Sequence, residues 1–264
     1  VSFGAARHMD FRPDIDGLRA VAIVAVVGFH ANIAWLSGGF VGVDVFFVIS
    51  GYLITRTLWE ESRSRGSVSL LSFWAKRVRR LVPAMALMIA VVLPLSYLVF
   101  LPLSWQYITG QALSATLYVS NIYFGARSDQ YFADDATTSV FLHTWSLGIE
   151  EQFYLAWPVI VLCVTILARR LRLQTPRVPL LVSFALIAAA SFTASLVLSM
   201  RGTPWAFYSL PTRAWELAAG AILGILITTR HLRLGRATGA LGVSSFALLL
   251  WCIVAFDSSG PYPG

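Results

Sequence analysis

Trp105-Gln-Tyr-Ile-Thr-Gly-Gln-Ala-Leu-Ser-Ala-Thr-Leu-Tyr-Val-Ser-Asn-Ile-Tyr-Phe124 decides how this chain is threaded. It has the length of a membrane helix, about twenty residues, yet it carries Gln106, Thr109, Gln111, Ser114, Thr116, Ser120 and Asn121. Seven other apolar runs surround it: Leu18–Leu36, Gly39–Trp59, Leu81–Leu101, Val140–Ala168, Val178–Met200, Leu210–Thr229 and Ala237–Phe256. Cations cluster between them. One cluster holds Arg63, Arg65, Lys76, Arg77, Arg79 and Arg80, a second Arg169, Arg170, Arg172 and Arg177, and a third Arg230, Arg233 and Arg236. If all eight runs cross, the first cluster faces away from the other two, against the tendency of cations to remain cytoplasmic. If Trp105–Phe124 enters and leaves by one side, all three clusters become cytoplasmic. Such a segment is tolerated where protein or a wet cavity shelters its backbone. The reading is an all-α polytopic membrane helix bundle with about seven crossings plus a re-entrant segment. Its N-terminus lies inside, and the acidic stretch Asp129–Asp135 faces outward.

Composition agrees. The 264 residues are 57% hydrophobic and 12% charged, with a mean hydropathy of +0.71, where soluble domains carry about 25% charge. The net charge of +7 sits in the connections between runs, so the lipid bilayer rather than nucleic acid is the expected partner. Cys163 and Cys252 lie far apart in apolar runs and read as packing residues. Four scattered histidines, with no HExxH and no paired cysteines, give no metal expectation. Residues 1–10 read as a flexible tail and 11–264 as one transmembrane domain. Its polar end is expected to lead into a further span.

Ionisable side chains inside apolar runs mark polar cavities or substrate paths. Arg19 and His30 are eleven residues apart, three helical turns and about 16 Å along one face, with Asp16 a turn below. An imidazole there suits a general base; alone, it equally suits a hydrogen bond that holds the bundle together. Asp44 opens the second run as a solvated helix end or a partner for a cation. Arg77 and Arg80, at i and i+3, can form a fork for phosphate oxygens or supply ordinary cytoplasmic charge. In Leu142-His143-Thr-Trp145-Ser146-Leu-Gly-Ile-Glu150-Glu151-Gln-Phe-Tyr154, helical spacing stacks His143, Glu150 and Tyr154 on one face. Glu150 is then the one of the two adjacent carboxylates that points inward. Arg213 and Glu216, also at i and i+3, are expected to form an intrahelical ion pair.

Taken in order, Phe11-Arg-Pro-Asp-Ile-Asp16-Gly-Leu-Arg19, the Arg19-x10-His30 pair, Gly42-Val-Asp44-Val-Phe-Phe-Val-Ile-Ser50-Gly-Tyr, Arg77-Val-Arg-Arg80 and the His143–Tyr154 stretch resemble the membrane-bound acyltransferase family 3. These are bacterial O-acyltransferases that decorate surface glycans. The resemblance implies a multi-pass protein of the bacterial inner membrane. Acyl-CoA, most simply acetyl-CoA, would be the cytoplasmic donor, and a hydroxyl of an extracytoplasmic glycan or glycolipid the acceptor. On that view His30 is the catalytic base, with Arg19 and Glu150 assisting. Arg77 and Arg80 hold the CoA phosphates, while Asp44, His143, Trp145, Ser146 and Tyr154 line the acceptor side. The family's last spans are absent from this stretch, and its form resembles members that carry an additional SGNH hydrolase-like domain. The alternative is a proton-coupled transporter using Arg19, His30 and Glu150 as a relay.

Overall fold

The computed structural model describes residues 12–127, 139–229 and 236–256, so the tail and Asp129–Asp135 lie outside the described residues. Helix follows helix: α1 Pro13–His30, α2 Val41–Arg65, α3 Leu70–Val99, α4 Pro102–Thr116, α5 Ser120–Arg127, α6 Trp145–Arg170, α7 Arg177–Met200, α8 Trp205–Tyr208, α9 Leu210–Thr229 and α10 Arg236–Ala255. Short 3-10 turns at Ala34–Leu36 and Leu142–Thr144 precede α2 and α6. Among the described residues there is no strand. Among the described residues, five helices are long and apolar enough to cross a membrane, counting α8 with α9 as one continuous stretch. Leu98 (82% exposed) on α3 and Met200 (88%) on α7 show how freely apolar side chains face outward. A lipid solvent allows this and water does not.

The chain forms two compact units, divided inside α2 between Ile49 and Ser50. The first holds α1, the opening of α2 and α10. Pro13 sits in the first turn of α1, where its missing N–H costs nothing. Asp14 and Asp16 lie beside the positive end of the helix. Gly39 and Gly42 rest against the backbone carbonyls of Ala25 and Ala22, where any side chain would strike α1. Ser37 donates its hydroxyl to the Phe256 carbonyl (2.7 Å) and the Gly38 N–H reaches the Ile253 carbonyl (3.0 Å), docking the end of α10.

The second unit runs from Ser50 through α9. Gly51 of α2 lies on the Leu217 carbonyl of α9, and Gly224 of α9 on the Tyr52 carbonyl of α2. Two small residues thus let these helices cross at backbone contact. Trp157 of α6 stacks between Phe153 and Phe184 (centroids 4.7 and 4.5 Å) and donates its indole N–H to Thr55 (2.8 Å).

The run Trp105–Phe124 breaks into α4 and α5, which fold back on each other. The Tyr107 and Tyr123 rings lie 6.3 Å apart, and a Cβ on Gly110 would meet the Tyr123 hydroxyl. The elbow is a Schellman-type cap, with Val119 N–H on the Ser114 carbonyl (2.9 Å) and Tyr118 left-handed at φ 56°. Glycine normally occupies that position. The polar residues of this run form a seam. Gln111 accepts the Phe141 N–H (3.1 Å), Ser120 accepts from Thr144 (2.8 Å), and Asn121 bonds both Gln152 (2.8 Å) and the Tyr208 carbonyl (3.0 Å).

Candidate active site

In the first unit, His30 ends α1 with Nδ1 2.8 Å from the Val26 carbonyl oxygen. A carbonyl only accepts, so the ring N–H is on Nδ1 and the lone pair of the neutral imidazole is on Nε2. The ring is exposed and stands edge-on to Phe29 (5.4 Å). Arg19 has its Nη1 3.7 Å from Asp16 Oδ1. The helix gives the two residues their common face, but their polar contacts are with different neighbours. Asp44 stands in the first turn of α2, a position that favours a carboxylate.

In the second unit, α2, α3 and α6 bring together a polar cluster. Ser50 donates to Glu150 Oε1 (2.7 Å), Tyr154 donates to Glu150 Oε2 (3.3 Å), and the two hydroxyls lie 3.3 Å apart. Pro158 has no N–H to offer the Tyr154 carbonyl four residues earlier. The Trp74 indole supplies the missing donor at 3.0 Å, tying α3 to α6 at this level. One turn further along α3, the Arg77 guanidinium lies over the Tyr154 ring (4.9 Å) and the Phe73 ring (5.4 Å). Arg77 and Glu150, which the sequence places on opposite halves of the membrane, therefore border the same tyrosine.

Arg77 also lines a cavity of about 210 Å³ together with Thr57, Glu61, Ser72, Phe73, Lys76 and Arg80. Three cations and two hydroxyls face one acid there. Glu61 is engaged elsewhere, accepting from Arg65 (3.4 Å) and the Ser69 N–H (3.3 Å) across the α2–α3 connection. The set offers charge-assisted donors to an anion with several oxygens.

The start of α6 departs from the sequence reading. His143 lies in the 3-10 turn before the helix and is exposed, so the helical register assumed for its face does not run through it. Ser146 donates to the His143 carbonyl (3.4 Å). Trp145 is buried against Phe207 (4.4 Å) and Tyr208 (5.7 Å). Glu150 is not the only inward carboxylate, because Oε1 of Glu151 is buried too, within electrostatic range of Arg77. Cys163 is exposed rather than packed inside.

The expected Arg213–Glu216 ion pair is present at 3.2 Å, with both side chains 1% exposed. Arg213 also lies over the rings of Trp145 (5.6 Å) and Phe207 (5.5 Å). Phe207 lies six residues before Arg213, but Trp145 comes from α6, 68 residues away, so local spacing does not reveal the burial. Glu151 and Tyr118 also escape sequence reasoning; their only hint is the polarity of the segments around them.

A family model described as an acyltransferase domain matches residues 12–263. The peptidoglycan O-acetyltransferase OatA of Listeria monocytogenes is 38% identical over 216 residues, which is 81% of this chain and 34% of that protein. The O-acetyltransferase OatA of Staphylococcus aureus is 35% identical over 250 residues, covering 91% of this chain and 40% of that protein. The chain thus spans between a third and two-fifths of the length of these relatives. No solved structure matches it.

Proposed function

We propose that this chain, which belongs to that acyltransferase domain family, is the membrane part of an O-acetyltransferase. It would carry an acetyl group from cytoplasmic acetyl-CoA to a hydroxyl of a cell-envelope glycan. The names of its relatives suggest peptidoglycan as the acceptor, and a multi-pass setting in the bacterial inner membrane goes with this reading.

The observation that carries the proposal is the continuity from cavity to cluster. Lys76, Arg77 and Arg80 offer charge to the phosphates of a nucleotide. Arg77 then leads to Tyr154, Ser50 and Glu150 deeper in the unit. A donor with charged phosphates at one end and a thioester on a long uncharged arm suits that gradient.

His30 is the base, through the Nε2 lone pair left by its Nδ1–H bond to the Val26 carbonyl. In the transfer, the acceptor hydroxyl gives its proton to Nε2 as its oxygen attacks the thioester carbonyl. The C–S bond then breaks and the proton passes to the departing thiolate. Arg19 and Glu150 assist electrostatically. Asp44, His143, Trp145, Ser146 and Tyr154 are the candidates for acceptor contact. No metal is required for these steps.

The test is transfer from labelled acetyl-CoA in membranes, comparing wild type with His30→Ala and with Arg77→Ala/Arg80→Ala. The histidine variant should bind CoA and fail to transfer, while the arginine variant should lose CoA affinity. Normal transfer by a folded His30→Ala protein would refute the base. Proton flux that is independent of CoA would favour the transporter.

A further inference from the structure

The elbow between α4 and α5 is packed onto α6 at Gly148. A Cβ there would meet the Tyr118 carbonyl oxygen at 3.1 Å and Asn121 Oδ1 at 2.7 Å. Glu151 follows Gly148 by three residues, on the same face of α6. The buried polar side chains of this seam are satisfied: Gln111, Ser114, Ser120 and Asn121 all have partners. Two groups differ. The Tyr118 hydroxyl and Oε1 of Glu151 are both shielded from solvent and have no hydrogen-bond partner among the described residues. They lie within electrostatic range of each other but do not bond to each other.

One of these groups is a donor and the other an acceptor. Burying either without a partner is unfavourable, and Tyr118 is held in a backbone conformation that its own side chain disfavours. A secondary amide complements the pair, since its C=O accepts from the phenol and its N–H donates to the carboxylate. Arg77 links this place to the cationic cavity, which it lines while lying within electrostatic range of Glu151. The arm of CoA between its phosphates and its sulfur carries secondary amides.

We propose that Tyr118 and Glu151 form an amide-binding pair that holds the pantetheine arm of the donor, between the phosphate cavity and the reacting thioester. This rests on the acyl-CoA reading above. It assigns the two residues to donor positioning rather than to proton transfer.

The experiment measures equilibrium binding of two ligands to the chain in detergent or native membranes: CoA, and adenosine 3′,5′-bisphosphate, which carries phosphates but no arm. Tyr118→Phe should weaken CoA by roughly five- to tenfold, the size of one lost hydrogen bond, and leave the bisphosphate unchanged. Glu151→Leu should weaken CoA by more than tenfold, again without touching the bisphosphate. Glu151→Gln keeps an acceptor and should recover most of that loss. Unchanged bisphosphate affinity also reports that each variant is folded. Equal weakening of both ligands, or no change in CoA affinity, would overturn the pair's role. If wild type binds neither ligand, the donor reading itself fails, a result distinct from failure of the amide pair.

Discussion

Removing Arg213 should destabilise the second unit far more than removing Arg213 and Glu216 together. The two side chains are 1% exposed and pair at 3.2 Å on one helix. Truncating one partner of such a pair strands a buried charge, at a cost of about 3–5 kcal/mol. The guanidinium also faces Trp145 and Phe207 at 5.6 and 5.5 Å, contacts worth up to about 2 kcal/mol when shielded from water. Against a total stability of roughly 5–15 kcal/mol, Arg213→Met therefore removes from about a fifth to all of it. Replacing both charges with apolar residues of similar volume is often close to neutral. Arg213→Met/Glu216→Leu should cost far less than Arg213→Met, with about 1–2 kcal/mol of it from the ring contacts. Equilibrium unfolding in mixed micelles, followed by tryptophan fluorescence, gives all three differences from one double-mutant cycle. A cost below about 1 kcal/mol for Arg213→Met would refute the reasoning, as would a double variant no more stable than the single ones.

Other expectations are as direct. Lys76→Ala and Arg80→Ala should each weaken CoA by roughly tenfold in a salt-dependent way. Arg77→Lys should be nearly as damaging as Arg77→Ala, because an ammonium does not stack on the Tyr154 ring as a guanidinium does; filter binding across a salt series reads all of these. His30→Ala should lower transfer by roughly a hundred- to ten-thousandfold at saturating donor, while the CoA dissociation constant stays at the wild-type value. Gly51→Ala should cost about 1–3 kcal/mol by pushing a methyl into the Leu217 carbonyl. Gly239→Ala meets nothing within 4 Å and should be neutral or slightly stabilising in the same unfolding assay.

The helices are legible because hydrocarbon demands long apolar runs. The break in Trp105–Phe124 is legible because a helix facing lipid has no use for Gln111 or Asn121. What those residues do is visible only in three dimensions: they bond the 139–152 stretch and Tyr208 rather than line a channel. The face argument for His143 assumes helix throughout, and the 3-10 turn at Leu142–Thr144 removes that register. The argument that one glutamate of two points inward assumes that α6 is covered on one side. In the folded chain α2 meets Glu150 on one flank, while the α4–α5 elbow packs at Gly148, on the face that carries Glu151. The Arg213–Glu216 pair is written in local spacing, but its cover by Trp145 of α6 is set by a chain crossing that no short pattern records.

The connection between α2 and α3 is short and internally braced. Gly66, with φ 73°, turns the chain, and the Glu61 carboxylate clasps both Arg65 and the Ser69 amide. The same short clasp joins the two helices that form the cationic walls. If the donor's phosphates enter there, as proposed, they meet a mouth already set in shape, and little ordering entropy opposes their capture. On that reading, exchange of spent for fresh donor would be governed by diffusion and ionic strength rather than by the swing of a loop.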